Sequence, residues 1–244
     1  MRWYFFSPFL LQKLIWVPTR IILTVFGRLK VYGLENLSEV EKNAVFACNH
    51  TSELDPILLP ASLPFGSRFS PIFYTSREKT FYDTSGWRRH FYGGSLFKMW
   101  GAYPVFVGLK NYEKSMEYQR EIMKDGGNIC VYPEGQITPD GRIQPAKGGV
   151  AYLAHAMNKP IIPVRIDGAF RLSTVDFFLG RGRLSVTFGK PLYVVAKQNA
   201  SLSIDDFKTY ADFVMSKVGE LKPGKEIRVV TDESKEAMGT VAAS

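Results

Sequence analysis

Five short apolar runs, at residues 44–48, 103–107, 128–132, 160–166 and 184–188, alternate along the chain with segments of helical patterning. Read as strands between helices, they predict an α/β fold: a mainly parallel mixed sheet covered by helices. Helices are expected over 111–124 and 147–157, the second closing before Pro160. Ser203 is placed to cap another, with Asp206 three residues on and Phe207, Tyr210, Val214 and Val218 along one apolar face that reads as packing. With 244 residues, 45% hydrophobic and 22% charged, the chain is long and apolar enough for one domain with a substantial core.

The ends differ from the middle. Residues 1–34 carry Arg2, Lys13, Arg20, Arg28 and Lys30 and no acid, among Trp3, Tyr4, Phe5, Phe6, Phe9, Leu10, Leu11, Leu14, Ile15 and Trp16. A membrane-spanning helix needs about 20 mainly apolar residues, and Lys13, Pro18 and Arg20 interrupt any such window here. The stretch therefore reads as a helical anchor over residues 1–27 that lies in a membrane interface, aromatic and aliphatic groups in the acyl region and cations near phosphates. A true span and a greasy helix docked on the domain are the alternatives. A signal peptide is disfavoured, since no small-x-small pattern follows the apolar part. The main domain is expected over 28–221, and the Lys, Glu and Gly-rich residues 222–244 as a mobile tail.

A net charge of +8 favours an anionic partner, whether lipid surface, nucleic acid or acidic substrate. The basic residues near the start accompany membrane-type aromatics rather than a polar arm, and no nucleic-acid motif occurs, so no nucleic-acid partner is expected. Cys48 and Cys130, each in an apolar run, read as buried thiols. His50, His90 and His155 lack zinc-type spacing, so no metal site is expected, and the last two read as structural.

The chemistry concentrates after the first run, where a strand passes into a helix through His50-Thr51-Ser52-Glu53-Leu54-Asp55-Pro56. Pro56 favours a helix start here, with Asp55 as its N-cap. Residues five apart on a continuous helix are about 140° out of phase, but a tight strand-to-helix turn can aim both side chains together. Asp55 would then fix the tautomer of His50 and leave its other nitrogen as a base. Alternatively, Asp55 only caps the helix and His50 is an ordinary turn residue.

His50 to Asp55 resembles the H-x4-D motif of the glycerolipid acyltransferase family, the group containing lysophosphatidic acid acyltransferases, and further blocks follow in order between about residues 30 and 195. Gly101-Ala102-Tyr103-Pro104-Val105-Phe106-Val107 resembles the second block, with Val107 where the family usually has arginine and Lys110 three residues later. Tyr132-Pro133-Glu134-Gly135 and the Asp140-Gly141-Arg142 turn are similar to the third, with Gln136 and Ile137 in place of the usual threonine and arginine. Lys159-Pro160-Ile161-Ile162-Pro163-Val164-Arg165-Ile166 resembles the last.

The resemblance implies an O-acyltransferase that uses His50 and Asp55 to move a fatty acyl group from acyl-CoA or acyl carrier protein to a lysolipid hydroxyl. The expected acceptor is of the 1-acylglycerol-3-phosphate type, as in phospholipid biosynthesis. No metal, cofactor or covalent acyl-enzyme is implied. Glu134 and Gly135 fall where open α/β sheets bind ligands, Glu134 either binding an acceptor hydroxyl or orienting loop amides. Lys110, Arg142 and Lys147 are candidates to replace the two absent arginines, with Lys147 at a helix N-terminus suited to an anion. Otherwise the acceptor carries a larger headgroup or no phosphate monoester; an inactive lipid-binding relative is a further alternative. Trp87, Phe91, Tyr92, Phe97 and Trp100 are candidates for an acyl route, with core packing the competing reading. A peripheral or monotopic membrane location follows, with the catalytic domain on the cytoplasmic side; oligomeric state is left open.

Overall fold

The computed structural model describes residues 3–77, 95–109, 111–194 and 202–224. In chain order the elements are helix α1 (Trp3–Val25), β1 (Lys30–Tyr32), a 3-10 turn (Leu34–Leu37), β2 (Val45–Cys48), α2 (Asp55–Ser62), β3 (Ile72–Ser76), α3 (Ser95–Trp100) and β4 (Ala102–Pro104). Then follow α4 (Tyr112–Ser115), α5 (Glu117–Lys124), β5 (Asn128–Val131), α6 (Gly149–Met157), β6 (Ile161–Asp167), α7 (Thr174–Phe178), β7 (Ser185–Phe188) and α8 (Ile204–Glu220).

The strands form one seven-stranded sheet in the order β1-β7-β6-β2-β5-β3-β4. All neighbours are parallel except β6 and β7, so β1 and β7 run opposite to the other five strands. This is the expected mainly parallel mixed sheet, with two strands the sequence pattern did not reveal. β1 has three residues, and β3 offers only Ile72, Phe73 and Tyr74 as an apolar run. The run at 103–107 shrinks to Ala102–Pro104 at the sheet edge, where a proline is tolerated because its missing N–H faces no partner strand. The helix expected over 111–124 breaks at Met116, and Asn111 caps its first part.

Both faces of the sheet are covered, which is why its central strands read as unbroken apolar runs. Phe46, Cys48, Ile72, Cys130, Ile162 and Val164 face α2 through Leu58 and Leu59. Val45, Ala47, Phe73, Ile129 and Val131 face the other way, toward α5, α6 and α8. Ser203 and Asp206 form the expected reciprocal capping box on α8, whose apolar face is buried.

α1 is an unbroken helix despite Pro8 and Pro18, and is long and apolar enough to cross a bilayer by length and composition. It is nevertheless fastened to the domain along its length. Gln12, buried, donates to the carbonyls of Ile72 and Trp100 (2.7 and 3.0 Å) and accepts from the Ile72 amide (2.9 Å). Trp16 and Arg20 donate to Leu63 O and Ala61 O, carbonyls at the end of α2 that the helix itself leaves unpaired. Its exit meets the start of β7, where Leu184 N donates to Gly27 O. Because the start of β7 pairs with the carboxyl end of β6, α1 runs from the amino end of β3 and finishes near the carboxyl end of β6.

Gln12 thus acts as a piece of backbone at the amino end of β3. Gln12→Leu is expected to lower unfolding free energy by about 2–3 kcal/mol, since it strands a buried amide and carbonyls. Urea denaturation checks this, and an unchanged midpoint would contradict it.

Candidate active site

β2 is central, and the chain leaves it toward β3 on one side but reaches β6 on the other, so the strand order reverses around it. Open α/β sheets bind ligands at the carboxyl ends of strands at such a point. His50 follows β2 there, Glu134 follows β5, and Arg77 follows β3.

His50 and Asp55 are brought together: Nδ1 lies 2.9 Å from Oδ2. The intervening residues form a turn, as the phase argument requires. Asp55 is fully buried, and its carboxylate also accepts the Thr51 and Ser52 amides at 2.6 and 3.0 Å and both hydroxyls at 3.1 and 2.9 Å. Five hydrogen-bonding partners surround its two oxygens and hold the carboxylate in place. The helix begins at Asp55 with Leu54 as N-cap, so Asp55 is not the cap expected from sequence. Its carboxylate turns back onto the preceding loop and holds the histidine instead. With Nδ1 bound to an acceptor, Nε2 keeps its lone pair, and the His50 side chain is 18% exposed.

The imidazole is also stacked on Tyr132, ring centroids 4.1 Å apart and planes 19° from parallel. Both residues extend the ladder of alternate side chains below them, where Cys48 and Cys130 meet at 3.5 Å as free thiols. The Tyr132 and Tyr74 hydroxyls are buried without a partner. Burial, then the Cys130 thiol and the Asp55 charge, push the Tyr132 phenol well above its ordinary range.

Glu134 takes the orienting role. One oxygen accepts the His50 amide and the other the Gln144 amide, each at 2.8 Å, and Thr138 N donates to His50 O at 2.8 Å. The carboxylate therefore clamps the turn after β2 to the loop after β5. Burial raises its pKa, while these two amide bonds oppose the rise.

Gly135, at φ +73, adopts a left-handed conformation; a Cβ there would lie 2.8 Å from the Lys147 ammonium. Arg77 donates to Gly135 O at 2.9 Å. Partial burial and the Arg77 charge hold the Lys147 ammonium below the ordinary lysine range. Two cations thus converge on the loop after Glu134. Sequence reading found Lys147 and missed Arg77, whose signal is only a basic residue at the end of a strand too short to recognise.

The anion site expected at the α6 N-terminus is a correction. The Gly148 amide is engaged by the Tyr112 hydroxyl, and a Cβ at Gly148 would collide with Phe207 and Lys208 backbone, so that end is packed against α8. Arg142 is exposed at the Asp140–Gly141 turn, with its amide on Asp140. Val107 and Ile137 are exposed apolar residues. Phe97 and Trp100 pack against the core under α2, and His155 on α6 lies 5.7 Å from the Phe207 ring of α8. Lys110, Trp87, His90, Phe91, Tyr92 and the tail beyond 224 lie outside the described residues.

These observations define an α/β domain that presents a histidine held by a buried carboxylate at the switch point of its sheet. The chain belongs to the acyltransferase family, whose model matches residues 28–167, more than half of its length. It is 26% identical over 172 residues to the 1-acyl-sn-glycerol-3-phosphate acyltransferase BAT2 of Brassica napus, covering 69% of this chain and 46% of that one. It is 29% identical over 170 residues to a probable 1-acyl-sn-glycerol-3-phosphate acyltransferase of Mycoplasma pneumoniae, covering 64% and 60%. The chain thus spans about half the length of the curated relatives it matches. Its fold is similar to the crystal structure of the 1-acyl-sn-glycerophosphate acyltransferase PlsC from Thermotoga maritima, with TM-score 0.56, 19% identity, and 87% and 82% of the two chains covered.

Tyr132→Phe is expected to keep the stack and raise stability by about 1 kcal/mol, by removing a buried unpaired hydroxyl. Glu134→Ala should release both loops and lower stability by about 2–3 kcal/mol. Thermal melts measure both.

Proposed function

We propose that the chain is an O-acyltransferase that moves a fatty acyl group from acyl-CoA or acyl carrier protein to the hydroxyl of a lysolipid of the 1-acylglycerol-3-phosphate type. The observation that carries this reading is His50 fixed through Nδ1 by Asp55, with its side chain partly exposed. Nε2 accepts the proton of the acceptor hydroxyl as its oxygen attacks the thioester carbon. The tetrahedral adduct collapses, the carrier thiolate leaves, and the imidazolium returns the proton to it. Asp55 stabilises the imidazolium without taking the proton. The attacking oxygen is the acceptor's own, so no protein nucleophile is needed.

Arg77 and Lys147 supply the anion-binding charge that Val107 and Ile137 cannot. A second reading, an acceptor with a larger headgroup or no phosphate monoester, is favoured by the exposed apolar Val107 and Ile137 at the two positions where the family usually has arginine. For membrane association the support is α1. Phe6, Leu10, Leu14, Val17, Ile21 and Val25 are exposed along it, while Gln12, Trp16 and Arg20 bind the domain from its other side. A helix tied to the domain at mid-length fits a position within the interface, its outward row in lipid, better than a span.

His50→Ala should lower acyl transfer by about 10³-fold and Asp55→Asn by about 10²–10⁴-fold, with folding retained for the first. Radiolabelled acyl transfer to a lysolipid panel measures this, and wild-type rates in the His50 variant would defeat the reading. Arg77→Ala or Lys147→Ala should raise KM for a lysophosphatidate acceptor about 10- to 100-fold with little change in kcat. An unchanged KM would favour the second reading. As the Lys147 ammonium titrates below the usual lysine range, the affinity it adds should fade at alkaline pH, and Lys147→Arg should extend it upward.

A further inference from the structure

α7 and the turn after it form a surface that neither the sheet nor the catalytic turn uses. Leu172 and Phe177 pack into the core and hold the segment, while Val175, Phe178 and Leu179 point outward, 67%, 56% and 58% exposed. Phe178 touches the rings of Phe26 and Phe177 on one side, yet among the described residues all three keep more than half of their surface uncovered. The Phe26 ring stands 5.3 Å from Phe178, so the patch meets the chain at the end of α1, just beyond the exposed Val25 of its outward row.

Its surroundings are of one sign. Arg171, Arg181 and Arg183 flank it in sequence and Arg28 and Lys30 follow α1, all five exposed, and the Arg28 guanidinium comes within 3.9 Å of the Cβ position at Gly180. Asp176 is the only acid between residues 168 and 184, and it is held by Ser173 and Arg181 at 2.6 and 3.2 Å. A second copy of the same surface would set arginine against arginine, whereas anionic lipid headgroups would meet each cation around an apolar tip.

The patch also lies at the catalytic end of the sheet. It follows β6, whose Ile166 amide and carbonyl are bound by the side chain of Asn49, next to His50. Arg171 reaches Pro139 O in the loop that follows Glu134.

We propose that Val175, Phe178 and Leu179 with their arginine collar are a second membrane-contact surface, seated in an anionic bilayer together with α1. The inference rests on the interfacial reading of α1. A single helix lying in a plane leaves the domain free to roll about the helix axis. A second contact off that axis removes the roll and holds the His50 end of the sheet at a fixed height over the leaflet from which the acceptor comes.

The test uses the full chain with a fluorescent label at Phe178→Cys or, separately, at Leu14→Cys on α1, Cys48 and Cys130 being buried. Each is mixed with vesicles of phosphatidylcholine and phosphatidylglycerol that contain spin-labelled acyl chains. Quenching at both positions is expected. Quenching at Leu14 alone overturns this proposal and leaves the anchor standing; quenching at neither overturns both. A change at Phe178 that follows protein concentration without vesicles would make the patch a self-association surface and also overturn it. The Phe178→Ser/Leu179→Ser variant should partition into these vesicles about tenfold more weakly with an unchanged melting temperature. Equal partition would contradict the proposal.

Discussion

The Asp55 carboxylate is fully buried, and its oxygens find partners only because the turn leading to it closes around it. Amides and hydroxyls of Thr51 and Ser52 fill the sites that His50 does not. This explains the composition of the segment: two consecutive hydroxyl residues give four donors within one turn, and the helix starting at Asp55 fixes where the acceptor stands. The imidazole is then confined from three sides, by Asp55 along its edge, by the Tyr132 ring over its face, and by Glu134 through its own backbone amide. The last contact makes the turn after β2 and the Pro-Glu-Gly loop a single unit, since Glu134 accepts an amide from each side.

Much of this was legible in the residues. Alternating apolar runs were enough for the parallel core, because strands buried on both faces carry no competing pattern. The pairing of His50 with Asp55 was legible as an alternative and became specific through the resemblance of the surrounding blocks. What escaped was set by neighbours rather than by local pattern. β1 and β3 have too few apolar residues to register, yet β3 carries Arg77 to the site. The start of α6 has the glycines and lysine of an anion-binding terminus, but Tyr112 and the α8 backbone already occupy it. Asp55 beside Pro56 has the signature of a cap, and only the fold shows its carboxylate facing the loop.

Geometry also relates His50 to the outward face of α1. α1 begins at the amino end of β3 and finishes at the carboxyl end of β6, so its outward apolar row runs toward the site rather than parallel to the sheet end. Truncating residues 1–26 would therefore be a poor probe of membrane binding: Phe5, Gln12 and Leu23 are buried in the domain, and their loss would damage the fold itself. Substitutions confined to the outward row separate the two roles.

The central claim is that Asp55 holds His50 in the tautomer that protonates Nδ1 and leaves Nε2 bare. Nitrogen NMR of the chain labelled at its three histidines tests this directly, with His50 assigned by the resonance lost in His50→Gln. For the neutral imidazole, a protonated Nδ1, its proton shifted downfield by the carboxylate, is expected beside an unprotonated Nε2. A proton resident on Nε2, or the averaged signal of a freely exchanging imidazole, would contradict it.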